Sequence, residues 1–291
     1  MSETVHHCPL CKSEQSCLFD SRSFHGKAVV NRICQDCGLV YQSPRMTEAE
    51  SAAFYAEEYR LLNEGSIDPT FRNTVAQQAR AESLLAFTQP VVGIISRHLD
   101  VGCSMGILLQ RFAEEFQCQP VGIEPGDAHR ARANTAGLAV YATLEELEKA
   151  GAGYFDLISM AHVLEHLPDP VGYLLHLGEA LLVPQGWLLL EVPNLYAHDS
   201  FEVAHLVSYS AHTLLQTLEK AGFEVLKIEQ HGRPRSAVLP LYITLLARPN
   251  TAFSRSQDIR AEQHVHLKRQ IGMLRRRILE KLMPNRAWLK E

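Results

Sequence analysis

The sequence predicts an α/β fold, a mostly parallel seven-stranded sheet with an antiparallel last strand, preceded by a small cysteine-rich unit. Three observations predict it. Short apolar runs alternate with segments of helical periodicity between about Leu99 and Arg248. A glycine turn follows the first of these runs, and an acidic residue closes the next one about twenty residues later. Finally, Cys8, Cys11, Cys17, Cys34 and Cys37 crowd the first forty residues, whereas only Cys103 and Cys118 follow.

Taken in order, Thr47 with Glu50 three residues on has capping-box spacing ahead of a short helix, and a second helix covers Phe71 to Phe87. "HLDVG" and "PVGIE" read as short buried strands. Between them "GILLQRFAEEF" places Ile107, Leu108, Phe112 and Phe116 at helical spacing, which makes a βαβ unit. "DAHRARANTAG" is a helix closed by Gly137, "LAVYA" a strand, "YFDLISMAHV" a buried strand, and "DPVGYLLHLGEALL" a helix before the strand "GWLLLEV". "SAHTLLQTLEKAG" is an amphipathic helix ending at Gly222, with Ser208 or Ser210 as its cap. "FEVLKIEQ" alternates like a strand, and "AVLPLYITLLAR" is its hairpin partner, because Gly232, Pro234 and Arg235 leave room only for a turn or short loop. Strands and helices alternating in this way form a parallel sheet covered on both faces.

The 291 residues suffice for one such domain with small attachments. Four segments emerge: 1–45, cysteine-rich; 46–97, a helical connector or lid; 98–248, the α/β domain; and 249–291, a basic tail. An apolar fraction of 46% and a charged fraction of 21% are those of globular proteins. The apolar stretches fall short of the roughly 20 residues a spanning helix needs, and the polar first thirty residues do not read as a signal peptide, which places the protein in the cytoplasm. A net charge of −5 offers no general field for a polyanion, so nucleic acid is disfavoured as a partner. From Ser254 the tail carries ten Lys or Arg against four Asp or Glu, with Leu267, Ile271, Leu274, Ile278 and Leu282 on one helical stripe. Such a helix can pack on the body, join two copies in a homodimer, or lie on a surface; packing or self-association is the plainer reading.

In "LDVGCSMGILL" a buried strand delivers Asp100 to its carboxyl end, and Gly102 and Gly106 let the backbone turn tightly beside a helix N-terminus. Glu124, in "VGIEP", stands where an acid can accept hydrogen bonds from both ribose hydroxyls of a nucleoside. "GCSMG" lacks the G-x-G-x-x-G spacing of a pyrophosphate turn. The paired knuckles "CPLC" and "CQDC", with twenty-two residues between them, bring Cys8, Cys11, Cys34 and Cys37 into the spacing of a closed tetrahedral site. That predicts one structural Zn2+ in a zinc ribbon, with Cys17 a spectator and His6 and His7 weaker ligand candidates.

These segments resemble the class I S-adenosylmethionine-dependent methyltransferases, whose sheet is Rossmann-like. "LDVGCSMG" is similar to their first motif, "GIEP" to the second, "YFDLISMAHVLEHLPDP" to the fourth and "LLVPQGWLLLEVPN" to the strand that follows. Ser104 departs from the pattern, standing where most members carry a third glycine. The resemblance implies S-adenosyl-L-methionine as cofactor. Gly102, Cys103 and Gly106 would line its methionine part, Asp100 would sit near its amino group, and Glu124 with Pro125 would hold the ribose. Thr143 and Leu144 would lie by the adenine, with Met160, Ala161 and His162 under the cofactor. Tyr55 and Tyr59 would either fold over the cofactor as a lid or simply pack their helix.

The stretch around His205 resembles the "EH…YFS…L…GF" segment of sugar C-methyltransferases, whose histidine serves as general base. Here Ala204 replaces the glutamate, so nothing adjacent in sequence orients the imidazole. His205 is the first candidate for base or substrate contact and His166 the second. Pro168 and Pro170 interrupt any long helix around Glu165 and His166, which favours structural roles there. The ribbon, connector and catalytic domain together resemble bacterial methyltransferases associated with sugar or surface-glycan biosynthesis, which implies a small-molecule acceptor. Two other readings are an RNA methyltransferase that uses the ribbon as its reader and a non-catalytic regulatory protein that binds the cofactor. The mixed charges of the ribbon oppose the former, and the intact Asp100, Gly102, Gly106 and Glu124 oppose the latter.

Overall fold

A computed structural model describes residues 2–47, 49–51, 54, 70–250 and 259–289. Tyr55 and Tyr59, the expected lid residues, lie outside the described residues. The amino-terminal unit contains β1 (Ser2–Glu3), β2 (Ser16–Phe24), β3 (Lys27–Cys34), β4 (Val40–Gln42) and β5 (Arg45–Met46). β2 and β3 form an antiparallel hairpin on which β4 pairs, and β1 pairs with β5. The Thr47 capping box forms as expected: the Thr47 amide donates to Glu50 Oε2 at 3.0 Å, and the Glu50 amide donates to Thr47 Oγ1 at 3.3 Å.

Helix α1 (Phe71–Thr88), capped by Thr70, precedes the α/β domain. There follow β6 (Arg97–Val101), α2 (Ile107–Phe116), β7 (Gln119–Ile123), α3 (Asp127–Thr135), β8 (Ala139–Tyr141), α4 (Leu144–Lys149), β9 (Phe155–Ala161), α5 (Pro170–His176), β10 (Leu182–Pro193), the short β11 (Val207–Ser208), α6 (Ala211–Lys220), β12 (Phe223–His231) and β13 (Tyr242–Pro249). The main sheet has seven strands in the order β12-β13-β10-β9-β6-β7-β8. β13 runs antiparallel to both of its neighbours and the pairs among β6 to β10 are parallel, as the sequence predicts.

Alternate residues of the strands serve opposite faces. Leu157, Leu189 and Leu246 pack with Leu84, Phe87 and Phe112 under α1 and α2. Ile158, Leu188, Leu190 and Leu245 pack with Leu174, Leu214 and Leu218 under α5 and α6. The carboxyl ends of β6, β7, β9 and β10 therefore open on one rim, where ligands bind in sheets of this kind.

Two expectations need correction. The last strand begins at Tyr242 rather than near Ala237, because Ser236 Oγ accepts from the amides of Val238 and Leu239 at 3.2 and 2.9 Å and holds residues 232–241 as a loop. The helix after Asp169 is regular only to His176 and closes in a π turn, Leu177–Leu181.

The cysteine-rich unit is not a separate bead. β11, from the loop after β10, pairs antiparallel with β4 through Val207 and Tyr41 and through Ser208 and Val40, completing a four-stranded sheet in the order β11-β4-β3-β2. Helices α7 (Val265–Leu282) and α8 (Pro284–Ala287) end the described chain. No helix among the described residues is long and apolar enough to cross a membrane.

Candidate cofactor and acceptor site

β6 ends at Val101 and the chain turns over Gly102 to Gly106, both in left-handed backbone, with φ of 77° and 78°. A Cβ on Gly102 would stand 2.5 Å from Val163 Cγ2, and one on Gly106 would strike Leu138, so neither position admits a side chain. Ser104, in place of the usual glycine, also takes positive φ (52°), and its hydroxyl is held by Gln77 of α1 at 3.0 Å and His129 Nδ1 at 2.7 Å. The side chain of Cys103 turns into a cluster with Leu109, Ala133 and Val140. Its thiol also donates to the Ser104 carbonyl at 3.8 Å.

Across the turn, Glu124 follows β7 and is buried. Its Oε2 accepts from the Ser104 amide at 2.9 Å and its Oε1 from the Gly126 amide at 2.8 Å, which fixes the carboxylate beside the turn. The Pro125 carbonyl accepts from Arg130 at 2.9 Å. Asp100 is buried beside Ser159, its register partner on β9, whose hydroxyl donates to Asp100 Oδ1 at 2.6 Å. Ser159 in turn lies 2.8 Å from His98 Nε2. Burial first, and then the charge of Glu124, push the Asp100 carboxyl up to about 7 against the pull of Ser159. Two fixed carboxyls flanking a glycine turn at a helix N-terminus match a ligand with a cationic amine and a ribose. S-adenosylmethionine carries both.

Thr143 caps α4, accepting from the Glu146 amide at 3.2 Å, with Leu144 as the first helical residue. Met160 points into the core, Ala161 closes β9, and His162 follows in left-handed backbone, φ 58°. His162 Nδ1 is 3.3 Å from Glu165 Oε1 and its Nε2 is 3.4 Å from Glu191 Oε1. Glu191, from the middle of an apolar strand, is fully buried and also faces Arg80 Nε at 3.4 Å and the Thr244 hydroxyl at 2.8 Å. Burial opposes its charge, but His162, Arg80 and His231 outweigh that and hold its carboxyl below the ordinary value.

Around this group stand Tyr242, with its ring centroid 5.1 Å from His162 and 5.8 Å from His198, and Arg80, 5.6 Å from the tyrosine ring. Among the described residues, His198 Nδ1 and Tyr242 Oη are buried without a hydrogen-bond partner, and Arg80 Nε and His162 Nε2 have Glu191 Oε1, at 3.4 Å, in place of one. Buried polar atoms are rarely left so, and their convergence at the strand ends marks a place prepared for a polar ligand.

His205 is differently placed. It is buried, its Nδ1 donates to the Ser200 carbonyl at 2.8 Å, and its Nε2 lies 2.8 Å from Glu202 Oε1. Burial lowers its pKa, but Glu202 more than compensates and the net shift is upward. Nothing adjacent in sequence orients this ring, as expected; Glu202, three residues earlier, takes the part of the missing neighbour. His166 donates through Nδ1 to the Ala204 carbonyl at 2.9 Å, and burial lowers its pKa to about 4. Glu165, His166 and His205 lie together, with donor atoms within 4.8 Å of one another.

Sequence reasoning missed Arg80, Ser159, Glu191, Glu202, His198 and Tyr242. Glu191 carried a usable signal, since a carboxylate inside "GWLLLEV" must be buried and therefore paired. Glu202 lies three residues before His205 but in an irregular loop with no periodicity to point to it, and the remaining residues come together only through tertiary contact.

In the amino-terminal unit the sulfurs of Cys8 and Cys37 are 3.5 Å apart and those of Cys11 and Cys34 are 3.4 Å apart, all four within 4.8 Å of one another. A tetrahedron with metal–sulfur bonds near 2.3 Å has edges of about 3.8 Å, so the four thiols are placed to bind a metal. Cys17 is exposed and outside the group. Gly38, φ 84°, lies so close to Glu262 that a Cβ would stand 2.9 Å away, and the Glu262 amide donates to the Cys37 carbonyl at 3.1 Å.

The strand order, the glycine turn and the acidic end of β7 define the Rossmann-like fold of the class I S-adenosylmethionine-binding methyltransferases. The family described as "Methyltransferase domain" matches residues 70–228, and the chain belongs to it. A ubiquinone biosynthesis O-methyltransferase from Histophilus somni is 33% identical over 175 residues, covering 56% of this chain and 71% of that protein. The protein of the same description from Hahella chejuensis is 40% identical over 81 residues, covering 25% of this chain and 34% of that one. The chain thus spans between 34% and 71% of the length of these curated relatives. Among solved structures, a 1,6-didemethyltoxoflavin-N1-methyltransferase from Burkholderia thailandensis, with bound S-adenosylhomocysteine, shares the fold at a TM-score of 0.57 and 18% identity, covering 80% of this chain and 100% of that one.

Proposed function

We propose that this chain is an S-adenosylmethionine-dependent methyltransferase acting on a hydroxyl of a small-molecule acceptor. One observation carries it: the cofactor turn and its two buried carboxyls share a rim with a buried polar group around His162 and Tyr242, in which His198 Nδ1 and Tyr242 Oη lack a hydrogen-bond partner. Asp100, the Gly102–Gly106 turn and Glu124 would hold the cofactor, whose sulfonium supplies an electrophilic methyl group. What remains for the protein is to align the acceptor, exclude water and take a proton from its hydroxyl.

His162 is best placed to take that proton. It sits at the end of β9 between two buried carboxylates, Glu165 at 3.3 Å and Glu191 at 3.4 Å, which orient its ring. Arg80, Tyr242 and His198 would orient the acceptor. His205, held at 2.8 Å on both ring nitrogens by the Ser200 carbonyl and Glu202, more closely than His162 is by its two carboxylates, would position the loop. Cys8, Cys11, Cys34 and Cys37 would hold one structural Zn2+, which cross-links the knuckles.

The printed activity of the curated relatives supports O-methylation, and the motif resemblance supports a sugar or surface-glycan precursor; both acceptors present hydroxyls. An RNA acceptor is less well supported, because the amino-terminal unit mixes Lys12, Arg22, Lys27, Arg32 and Arg45 with Glu14, Asp20 and Asp36 and offers no basic face among the described residues. The test is transfer of labelled methyl to a catechol and to a nucleotide sugar, with mass spectrometric detection. His162→Ala should cut kcat about 10²- to 10⁴-fold while leaving cofactor affinity within a few-fold. Undiminished kcat would remove His162 from the role, and absence of cofactor binding by calorimetry would remove the activity altogether.

A further inference from the structure

Helix α7 lies outside the segment that matches the methyltransferase family, and the function above makes no use of its outer face. Its inner face is anchored. The Arg269 guanidinium donates to the carbonyls of Leu195 and His198 and meets Asp199 at 3.2 Å, and Arg276 donates to the Ala197 carbonyl at 3.1 Å. Gly272 passes so close to the Tyr196 carbonyl that no side chain would fit. At 100° per residue, this anchoring turns the opposite side of the helix to solvent.

That side is apolar. Leu267, Ile271, Leu274, Ile278 and Leu282 are 53, 59, 57, 46 and 74% exposed, and they fall within one narrow stripe. Lys268 and Arg275 border the stripe on one side, and Arg277 and Lys281 on the other. Lys268 pairs with Glu262 at 3.0 Å, whereas Arg275, Arg277 and Lys281 meet no carboxylate among the described residues. The acidic residue of this helix, Glu280, is turned inward to Arg276 and Trp288.

Two occupants could cover such a stripe, and charge and size decide between them. A second copy would bring basic borders against basic borders, with no acid on either to neutralise them. It would also offer five aliphatic side chains a side where a standard interface uses about 20–30 residues a side. A bilayer surface with anionic headgroups complements both features: the aliphatic stripe enters the acyl boundary, and the guanidinium and ammonium groups beside it reach phosphates.

We propose that α7 is an interfacial helix that docks this protein on an anionic membrane surface through Leu267, Ile271, Leu274, Ile278 and Leu282, flanked by Arg275, Arg277 and Lys281. The docking is peripheral: the helix lies in the plane of the interface and crosses nothing.

The test is sedimentation of the full zinc-loaded chain with vesicles of phosphatidylcholine alone or with about 30% phosphatidylglycerol, alongside light scattering of the protein without lipid. Binding should be at least about tenfold stronger on the anionic vesicles and should weaken with salt. Arg275→Ala and Arg277→Ala should each cost about fivefold, and Ile271→Glu should abolish it. These positions are exposed, and an unchanged circular dichroism spectrum would show that the variants fold. The proposal is overturned if neither vesicle binds, if binding survives Ile271→Glu, or if light scattering finds a dimer that Ile271→Glu splits, in which case a second copy is the occupant.

Discussion

Asp100 shows how burial changes the protonation of a common side chain. With its carboxyl raised to about 7, the free protein carries it partly protonated near neutrality, and only the ionised form attracts an ammonium group. A raised carboxyl contributes stability that is full below its ordinary value of 3.8 and is lost as pH rises toward 7. A bound cation reverses that trend by favouring the ionised form. Cofactor affinity measured by calorimetry should therefore rise with pH up to about 7 and level off above it, and Asp100→Asn should bind more weakly with a flat profile. A steep profile in the variant would move the titration to another group. Asp100 and Glu124 were legible in the sequence because a strand end and a turn are local features. Arg80 and Tyr242 were not, since they lie on α1 and β13 and meet only when the sheet has assembled.

At the scale of elements, the loop between β10 and α6 is held from both sides. Ser210 caps α6, its hydroxyl accepting from the Thr213 amide at 3.1 Å, while Thr213 Oγ1 accepts from the Ser210 amide, also at 3.1 Å. The same hydroxyl meets the carboxylate of Glu262. Ser210→Ala should cost about 0.5–2 kcal/mol in urea unfolding, as capping serines do, and no loss would mean that water replaces both bonds. On the other side, the Gln42 amide donates to the Leu206 carbonyl at 2.8 Å and its side chain donates to the Glu202 carbonyl at 3.2 Å. The strand next to the cysteine knuckles thus carries the backbone that positions Glu202 and His205. The capping box and the knuckle spacing could be read from sequence, but this pairing could not, because β11 has only two residues and no periodicity of its own.

For the whole molecule, the consequence is that the amino-terminal unit and the catalytic rim form one mechanical body. Tyr41, Leu39 and Cys8 share a core with Tyr209, Leu206 and Val207. Chelation of the metal that the four cysteines are placed to bind should release the amides of Val40–Gln42 and Leu206–Ser208 together in hydrogen exchange, while β9 and β10 stay protected. If the amino-terminal amides exchange alone, the two parts are independent. By itself, the sequence determined the layered α/β fold, the cofactor turn and the four-cysteine site, because each depends on periodicity or spacing within a few tens of residues. Tertiary structure alone decided which histidine faces two buried carboxylates, which acid orients His205 and what the amino-terminal sheet holds in place. The amino-terminal sheet joins residues 160 or more positions apart, and even the short-range pairs, His162 with Glu165 and His205 with Glu202, owe their energies to desolvation that exists only once the chain has closed around them.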